Sequence, residues 1–172
     1  MDARIEEAKL VGFPASVSRQ EAQVDGYQQV FEKNRHRIYS LAFWMTNNEL
    51  TAEQLAVNTF CRAFALSPDP DAESVDRALV AELRQLMPLG SLTLQCAPCL
   101  ELGGLRRNIK RAELERAIVQ LSPTERLIFL LHDVERHDHA HIGRLLGLGP
   151  QESACALHQA RLRLRELLAA GN

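Results

Sequence analysis

Residues 121–168 read LSPTERLIFLLHDVERHDHAHIGRLLGLGPQESACALHQARLRLRELL. Ser122 and Glu125 flank Pro123 in the pattern of a capping box, in which the serine hydroxyl and the glutamate carboxylate satisfy the first free N–H groups of a helix. Apolar residues then recur at helical spacing up to Val134. The stretch therefore predicts a helix that begins at Pro123.

Two more helices are predicted in the same stretch. Asp138 is a candidate N-cap for the first of them, Gly147 is expected to end it, and Pro150 is expected to begin the last. The apolar residues that we expect to be buried together are Ile142, Leu145, Leu146, Leu148 and Leu157. Two helices joined by a short glycine-containing turn are the pattern of a helix-turn-helix.

Upstream, residues 25–87 predict three further helices. Apolar positions between Tyr27 and Met45 recur at helical spacing, Thr51 and Gln54 form a second candidate capping box, and Pro88 is expected to end the third helix. We divide the chain into an N-terminal extension (1–24), a helical domain (25–87), a linker (88–107) and a helix-turn-helix domain (108–172), whose first helix spans about residues 108–120. The predicted fold class is all-α, with two small helical domains joined by a linker.

Several short stretches carry a family resemblance. They are LSPTER at 121–126, FLLHDVE at 129–135, IGRLLGL at 142–148 and LHQAR at 157–161, and upstream IYSLA at 38–42 and TFCRAF at 59–64. The first four resemble the C-terminal domain of extracytoplasmic-function (ECF) sigma factors of bacterial RNA polymerase, and the last two resemble the sigma domain that docks on the polymerase clamp. The resemblance implies a transcription initiation factor that binds core polymerase with its first domain and promoter DNA with its second.

The resemblance also implies which residues contact the polymerase. The candidates are Glu53, Gln54, Val57, Asn58 and Arg62. In the family, this helix carries an acidic residue and a Gln–Glu pair, and alignment places Gln54, Val57 and Asn58 at those positions. Two carboxylates have thus been lost. The plain alternative is a helical hairpin whose apolar stripe only forms a core.

Candidate DNA contacts come from the recognition helix and its surroundings. They are Arg144, Gln151, His158, Gln159 and Arg161. Arginine and lysine read guanine, and asparagine and glutamine read adenine, yet residues 150–160 contain no lysine or arginine. Where the family typically has a threonine, a buried valine, a lysine and an arginine, this chain has Glu152, Ser153, Ala154 and Ala156. Promoter recognition is therefore expected to be impaired.

Strand opening is also poorly supported, because melted bases are held on aromatic faces and basic side chains. No aromatic residue lies between Phe64 and Phe129, and the helix that would face the melted strand offers only Arg77 and Arg84. A second hypothesis follows, namely a degenerate sigma-like interaction module that has lost promoter recognition and regulates transcription by binding polymerase, another sigma factor or an anti-sigma protein. No motif pairs a histidine with a catalytic partner, so we do not expect an enzyme.

The remaining features exclude other classes. The longest uncharged run, residues 85–100, is too short for a membrane span and contains two prolines, and no signal peptide opens the chain, so a cytoplasmic protein without membrane contact is expected. Cys96 and Cys99 have the spacing of half a zinc site or of a redox pair, but a structural zinc site needs four ligands. His137, His139 and His141 are candidates to complete it, although on a helix only the first and last share a face. We favour two incidental cysteines and expect no metal or cofactor.

Overall fold

The computed structural model describes residues 15–90, 92 and 110–170, and all regular structure within these ranges is helical. The helices are α1 (Ala15–Thr46), α2 (Glu49–Leu66), α3 (Ala72–Leu86), α4 (Arg111–Val119), α5 (Pro123–Phe129), α6 (His139–Leu146) and α7 (Pro150–Ala170), and α5 continues into one π-helical turn, Leu130–Val134. The all-α prediction is confirmed for this part of the chain. Within the same ranges, no helix has both the length and the apolar character needed to cross a membrane.

Helices α1 to α3 correspond to the three helices predicted upstream, with two differences. The first helix begins at Ala15 and runs through position 25, where the sequence placed a domain boundary. The second difference concerns the start of α2, where the predicted capping box of Thr51 and Gln54 is wrong. Asn48 is the N-cap of α2, and its Oδ1 accepts a hydrogen bond from the Thr51 N–H at 2.9 Å. Asn47 ends α1 at a φ of +52°, so the chain turns before it reaches Thr51.

The helix starts predicted in the C-terminal stretch are confirmed. Ser122 and Glu125 form the capping box of α5, with Pro123 in the first turn, and Asp138 Oδ1 accepts a hydrogen bond from the His141 N–H at 2.7 Å at the start of α6. Gly147 ends α6 at a φ of +74°, in the left-handed region that favours glycine. These caps place α6 and α7 as the two helices of a helix-turn-helix.

Gly143, which lies within α6, is required for a different reason. A Cβ atom on Gly143 would lie 2.6 Å from the carbonyl oxygen of Leu148, because the chain after α6 folds back onto the helix. That carbonyl belongs to the residue whose N–H donates to Gly143 O at 2.9 Å. Any side chain at position 143 would therefore push the turn away from α6 and change the angle at which α7 leaves.

One hydrophobic cluster joins the upstream helices, α1 to α3, to the C-terminal helices, α4 to α7. It includes fully buried side chains from α1, α3, α5 and α6, among them Ile38, Leu79, Leu127 and Ile142. Of the five residues expected to be buried together, Ile142, Leu145, Leu146 and Leu157 are buried, and Leu148 packs against the cluster while partly exposed. A smaller cluster joins α4 to α7 through Ile118 and Leu164. The helix-turn-helix is thus packed on α1 and α3.

Arg126 of α5 makes a polar contact between the upstream helices and the C-terminal helices. This buried guanidinium donates hydrogen bonds to the carbonyl oxygens of Met45 at 2.8 Å, of Leu121 at 3.1 Å and of Val119. Met45 lies in the last turn of α1, Val119 is the last residue of α4, and Leu121 lies between α4 and α5. Burial lowers the pKa of Arg126 from its ordinary value, which is so high that the group stays charged.

We expect Leu145→Ala to destabilise the fold by roughly 2–5 kcal/mol, because it leaves a cavity where α6 packs on the core. Urea denaturation followed by circular dichroism measures the loss. The control is Leu66→Ala, which truncates a leucine that is 75% exposed and should change the free energy of unfolding by less than about 0.5 kcal/mol. Equal stabilities of the two variants would contradict the assigned core.

We expect Arg126→Gln to destabilise the fold by about 3 kcal/mol or more, because each buried carbonyl left without its donor costs roughly 1–3 kcal/mol. The same denaturation experiment tests this. Arg116→Gln is the matched control, since Arg116 is exposed and bonds only within its own helix. Similar losses in both variants would show that the three carbonyls do not depend on Arg126.

Candidate nucleic-acid and polymerase interfaces

The first turns of α7 present one exposed face. Gln151, Cys155 and His158 lie on it and are exposed, whereas Leu157 and Ala160 point into the core. The candidate DNA contacts Gln151 and His158 therefore share one exposed surface of α7. Gln159 is half-buried beside it. Cys155 is also on this face, and the helical period of 3.6 residues from Gln151 is the sequence signal that places it there.

Two of the positions compared with the family lie on the other side of α7. Ala156 is fully buried, so the missing arginine at this position does not remove a cation from the exposed face. Ser153 is also fully buried, and its Oγ lies 3.1 Å from Nδ1 of His139 at the start of α6. Burial is the main cause that lowers the pKa of His139, which favours a neutral imidazole. This contact fixes the start of α7 against the start of α6.

Arg161 does not offer a free cation. Its Nε donates to Asp133 Oδ2 at 3.0 Å and its Nη2 lies 2.5 Å from Asp133 Oδ1, which is a bidentate pair with the π-helical turn. The hydrogen bond from Arg161 holds the pKa of Asp133 below its ordinary value, and the same bond raises the pKa of Arg161. Arg144 is exposed on α6, with Nη2 3.4 Å from Nδ1 of His141.

Negative charge lies at the start of α7. Glu152 Oε2 accepts a hydrogen bond from the Gly149 N–H at 2.6 Å, so a carboxylate occupies the helix N-terminus, the end of a helix that favours anions. Residues 111–170 contain eight arginines, no lysine and eight carboxylates. The helix-turn-helix therefore has no net positive charge with which to attract DNA.

The candidate polymerase contacts lie along α2. Glu53, Gln54, Val57 and Asn58 are all exposed, together with Leu50 and Cys61, and we call these six residues the α2 outer face. Gln54 Nε2 donates to Asn58 Oδ1 at 2.9 Å, and the Val57 side chain is exposed to solvent. Arg62 differs from the other candidates, because it is half-buried and lies 2.5 Å from Glu82 of α3 in an ion pair. The structure thus places Arg62 between two helices.

Helix α3, which the sequence assigned to the melted strand, packs against the helix-turn-helix. Arg84 Nη2 donates to the carbonyl oxygen of Leu146 at 2.8 Å, at the end of α6. Arg77 lies on the exposed side of α3 and is 4.0 Å from Glu73 in the same helix. One of the two basic residues available for single-stranded DNA is therefore engaged within the protein. Cys96 and Cys99 lie outside the described residues.

The comparison with known protein families agrees with this geometry. Residues 111–164 match the family model for sigma-70, region 4, and these residues include α4, α5, α6 and most of α7. No match was found among curated proteins. Region 4 belongs to non-enzymatic transcription factors that bind RNA polymerase and promoter DNA. Residues 111–164 are therefore similar to sigma-70, region 4, and we call them the region 4 domain; the resemblance to sigma factors predicted from the sequence is confirmed for this part of the chain.

Proposed function

We propose that this chain is an ECF-type sigma factor or a close derivative that binds core RNA polymerase through the α2 outer face and approaches promoter DNA with α7. The observation that carries the proposal is the complete helix-turn-helix of region 4, whose recognition helix exposes Gln151 and His158. Such a factor acts in the cytoplasm, where polymerase and the chromosome are. No catalytic residue or cofactor is required.

The α2 outer face supports the polymerase part of the proposal. No described element covers these residues, and Leu50 and Val57 leave apolar surface in contact with water. Apolar side chains ringed by polar groups are typical of protein interfaces. The resemblance assigns this helix to the polymerase clamp, and Glu53 remains as the acidic contact. Arg62 supports the face indirectly, since its ion pair with Glu82 anchors α2 on α3.

The charges around α7 support only weak DNA binding. Arg161 is neutralised by Asp133, and Glu152 repels phosphates at the start of the helix. Few phosphates would be contacted, so the affinity should fall only shallowly with salt, with a slope of about −0.9 for each neutralised phosphate. Readout would depend on Gln151, His158 and Gln159, with Arg144 as an accessible cation on α6.

One observation favours the second candidate, an interaction module that has lost promoter recognition. In this structure α3 is buried against α6, and Arg84 is bonded to the Leu146 carbonyl. Packed in this way, α3 presents only its outer side, where Arg77 lies beside Glu73, to a melted strand. Such a module would regulate transcription by binding polymerase, another sigma factor or an anti-sigma protein.

We expect Val57→Glu to weaken the binding of core polymerase by roughly tenfold or more, because it places a charge at the centre of the α2 outer face. Pull-down of core polymerase by the purified full chain, quantified against protein concentration, measures the change. Val24→Glu is the matched control, since Val24 is a similarly exposed valine on α1 (61% against 57%). Equal loss in both variants, or no loss in Val57→Glu, would remove the α2 outer face from the proposal.

The two candidates respond differently to added charge on α7. We expect Cys155→Lys with His158→Arg to raise the affinity of a promoter reader for its preferred duplex and to steepen its salt slope by up to about two units. Binding to genomic fragments and to random duplexes, with run-off transcription by added core polymerase, is measured side by side. These positions are chosen because a cation at the buried Ala156 would disrupt the core.

The control for this double variant is Gln28→Lys with Gln29→Lys, which adds the same charge at exposed positions on α1. A reader should gain sequence preference only with the α7 variant. If both variants gain the same unselective binding, while the unmodified chain binds core polymerase or another sigma factor, promoter recognition is abandoned and the interaction module is retained.

A further inference from the structure

Three side chains with metal-ligating atoms meet where α3 packs against the start of α6. Asp76 lies on α3, His137 lies in the turn before α6, and His141 lies in the first turn of α6. Nε2 of His137 is 3.6 Å from Asp76 Oδ2, and Nε2 of His141 is 3.8 Å from the same oxygen. One potential ligand atom from each residue lies within 4.8 Å of the others. Two imidazoles therefore point at a single carboxylate oxygen.

The protein leaves the two imidazole nitrogens without hydrogen bonds. Both Nε2 atoms are buried and have no hydrogen-bond partner, and the Asp76 side chain is almost wholly buried. Buried polar atoms are nearly always satisfied, so these two nitrogens and Asp76 Oδ1, which also has no hydrogen-bond partner, need an explanation. Distances of 3.6 and 3.8 Å are too long for hydrogen bonds. They lie close to the separation of roughly 3.3 Å between ligand atoms in a tetrahedral site with metal bonds of about 2.0–2.1 Å.

The neighbouring charges are compatible with a divalent cation. Arg37 Nη2 lies 2.7 Å from Asp76 Oδ1 in an ion pair that lacks hydrogen-bond geometry, and Asp76 Oδ2 faces the imidazoles. The same guanidinium lies 3.8 Å from Glu135 Oε2, so one cation is shared between two carboxylates. Arg144, which approaches Nδ1 of His141 at 3.4 Å, is exposed and can turn into solvent. One guanidinium thus faces two carboxylates at this site.

We propose that Asp76, His137 and His141 bind one divalent transition-metal ion, for which zinc is the representative. Two imidazole nitrogens and one carboxylate oxygen suit zinc and its first-row neighbours, with water in the fourth position, whereas magnesium prefers oxygen donors alone. The sequence led us to expect no metal, because the only zinc site that we considered was built on Cys96 and Cys99. We now propose a different site, which does not include these cysteines. It does not depend on the proposed function.

The position of the ligands gives the ion a structural consequence. Asp76 belongs to the helices upstream of the linker, and both histidines belong to the region 4 domain, so the ion would bridge the two parts across the α3–α6 contact. An ion that binds only when these parts are packed together stabilises the packed arrangement by mass action. Metal occupancy would thus hold α3 against the helix-turn-helix.

The test uses the full chain without a histidine tag, stripped of metal, and titrated with zinc chloride and separately with cobalt(II) chloride. We expect one ion per chain, with a dissociation constant in the micromolar range or below, and no binding of magnesium at the same concentrations. His137→Gln and His141→Gln should each weaken zinc binding at least tenfold. His36→Gln and His158→Gln, which change exposed histidines on α1 and α7, should leave it unchanged.

Two further measurements keep the result decisive if a variant folds poorly. The Cys96→Ser, Cys99→Ser variant should retain its zinc, and its cobalt complex should lack a thiolate charge-transfer band. Zinc should raise the unfolding midpoint of the unmodified chain, and slow hydrogen exchange in α3 and α6, but should do neither in the histidine variants. Loss of the ion in the cysteine variant, retention in both histidine variants, or failure of the unmodified chain to bind would overturn the proposal.

Discussion

The arrangement of the helices depends on the buried guanidinium of Arg126. A charged group removed from water is strongly destabilising unless its hydrogen bonds are replaced, and carbonyl groups at the ends of helices need donors for the same reason. Arg126 meets both needs through its two Nη atoms, on which the carbonyls of Met45, Val119 and Leu121 converge, while its buried Nε has no hydrogen-bond partner. The end of α1 must then lie beside the start of α5. The position of the helix-turn-helix relative to α1 follows from this contact.

The shared core extends the same constraint to α3. Leu79 and Leu83 of α3 belong to the hydrophobic cluster that contains Leu127 and Ile142, so the face of α3 that meets α6 is part of the interior. Arg84 caps the end of α6 at the Leu146 carbonyl. Separating α3 from region 4 would expose apolar surface and would leave that carbonyl to be solvated by water. Any activity that requires α3 and α6 to separate must supply the free energy of exposing this surface.

Local patterns in the sequence predicted the helices, but they could not predict polar contacts between residues that are far apart in the chain. Ser122 and Asp138 cap helices through bonds to residues three positions away, so the pattern contains the whole interaction. Asn48 was missed because Thr51 offers an equivalent cap one turn later. Nothing in the sequence pairs Arg126 with Met45, 81 residues away, since burial of an arginine depends on which carbonyls the fold brings together. On the candidate site, helical periodicity predicts that Gln151 and His158 share a face, whereas the pair of Arg161 with Asp133 joins positions 28 apart.

The α2 outer face, α3 and α7 differ in how far the packed protein must rearrange before a partner can bind them. The α2 outer face is exposed as the structure stands, so a partner can bind it without moving α3 or region 4. The basic residues of α3 lie against α6 or beside carboxylates, and α7 has little electrostatic attraction for phosphates. Under the proposed function, contact with polymerase through α2 would therefore come first. Contact of α3 with a melted strand would follow only if the gain in binding exceeds the free energy of opening the α3–α6 interface, because a ligand shifts a conformational equilibrium only by its difference in affinity for the two states.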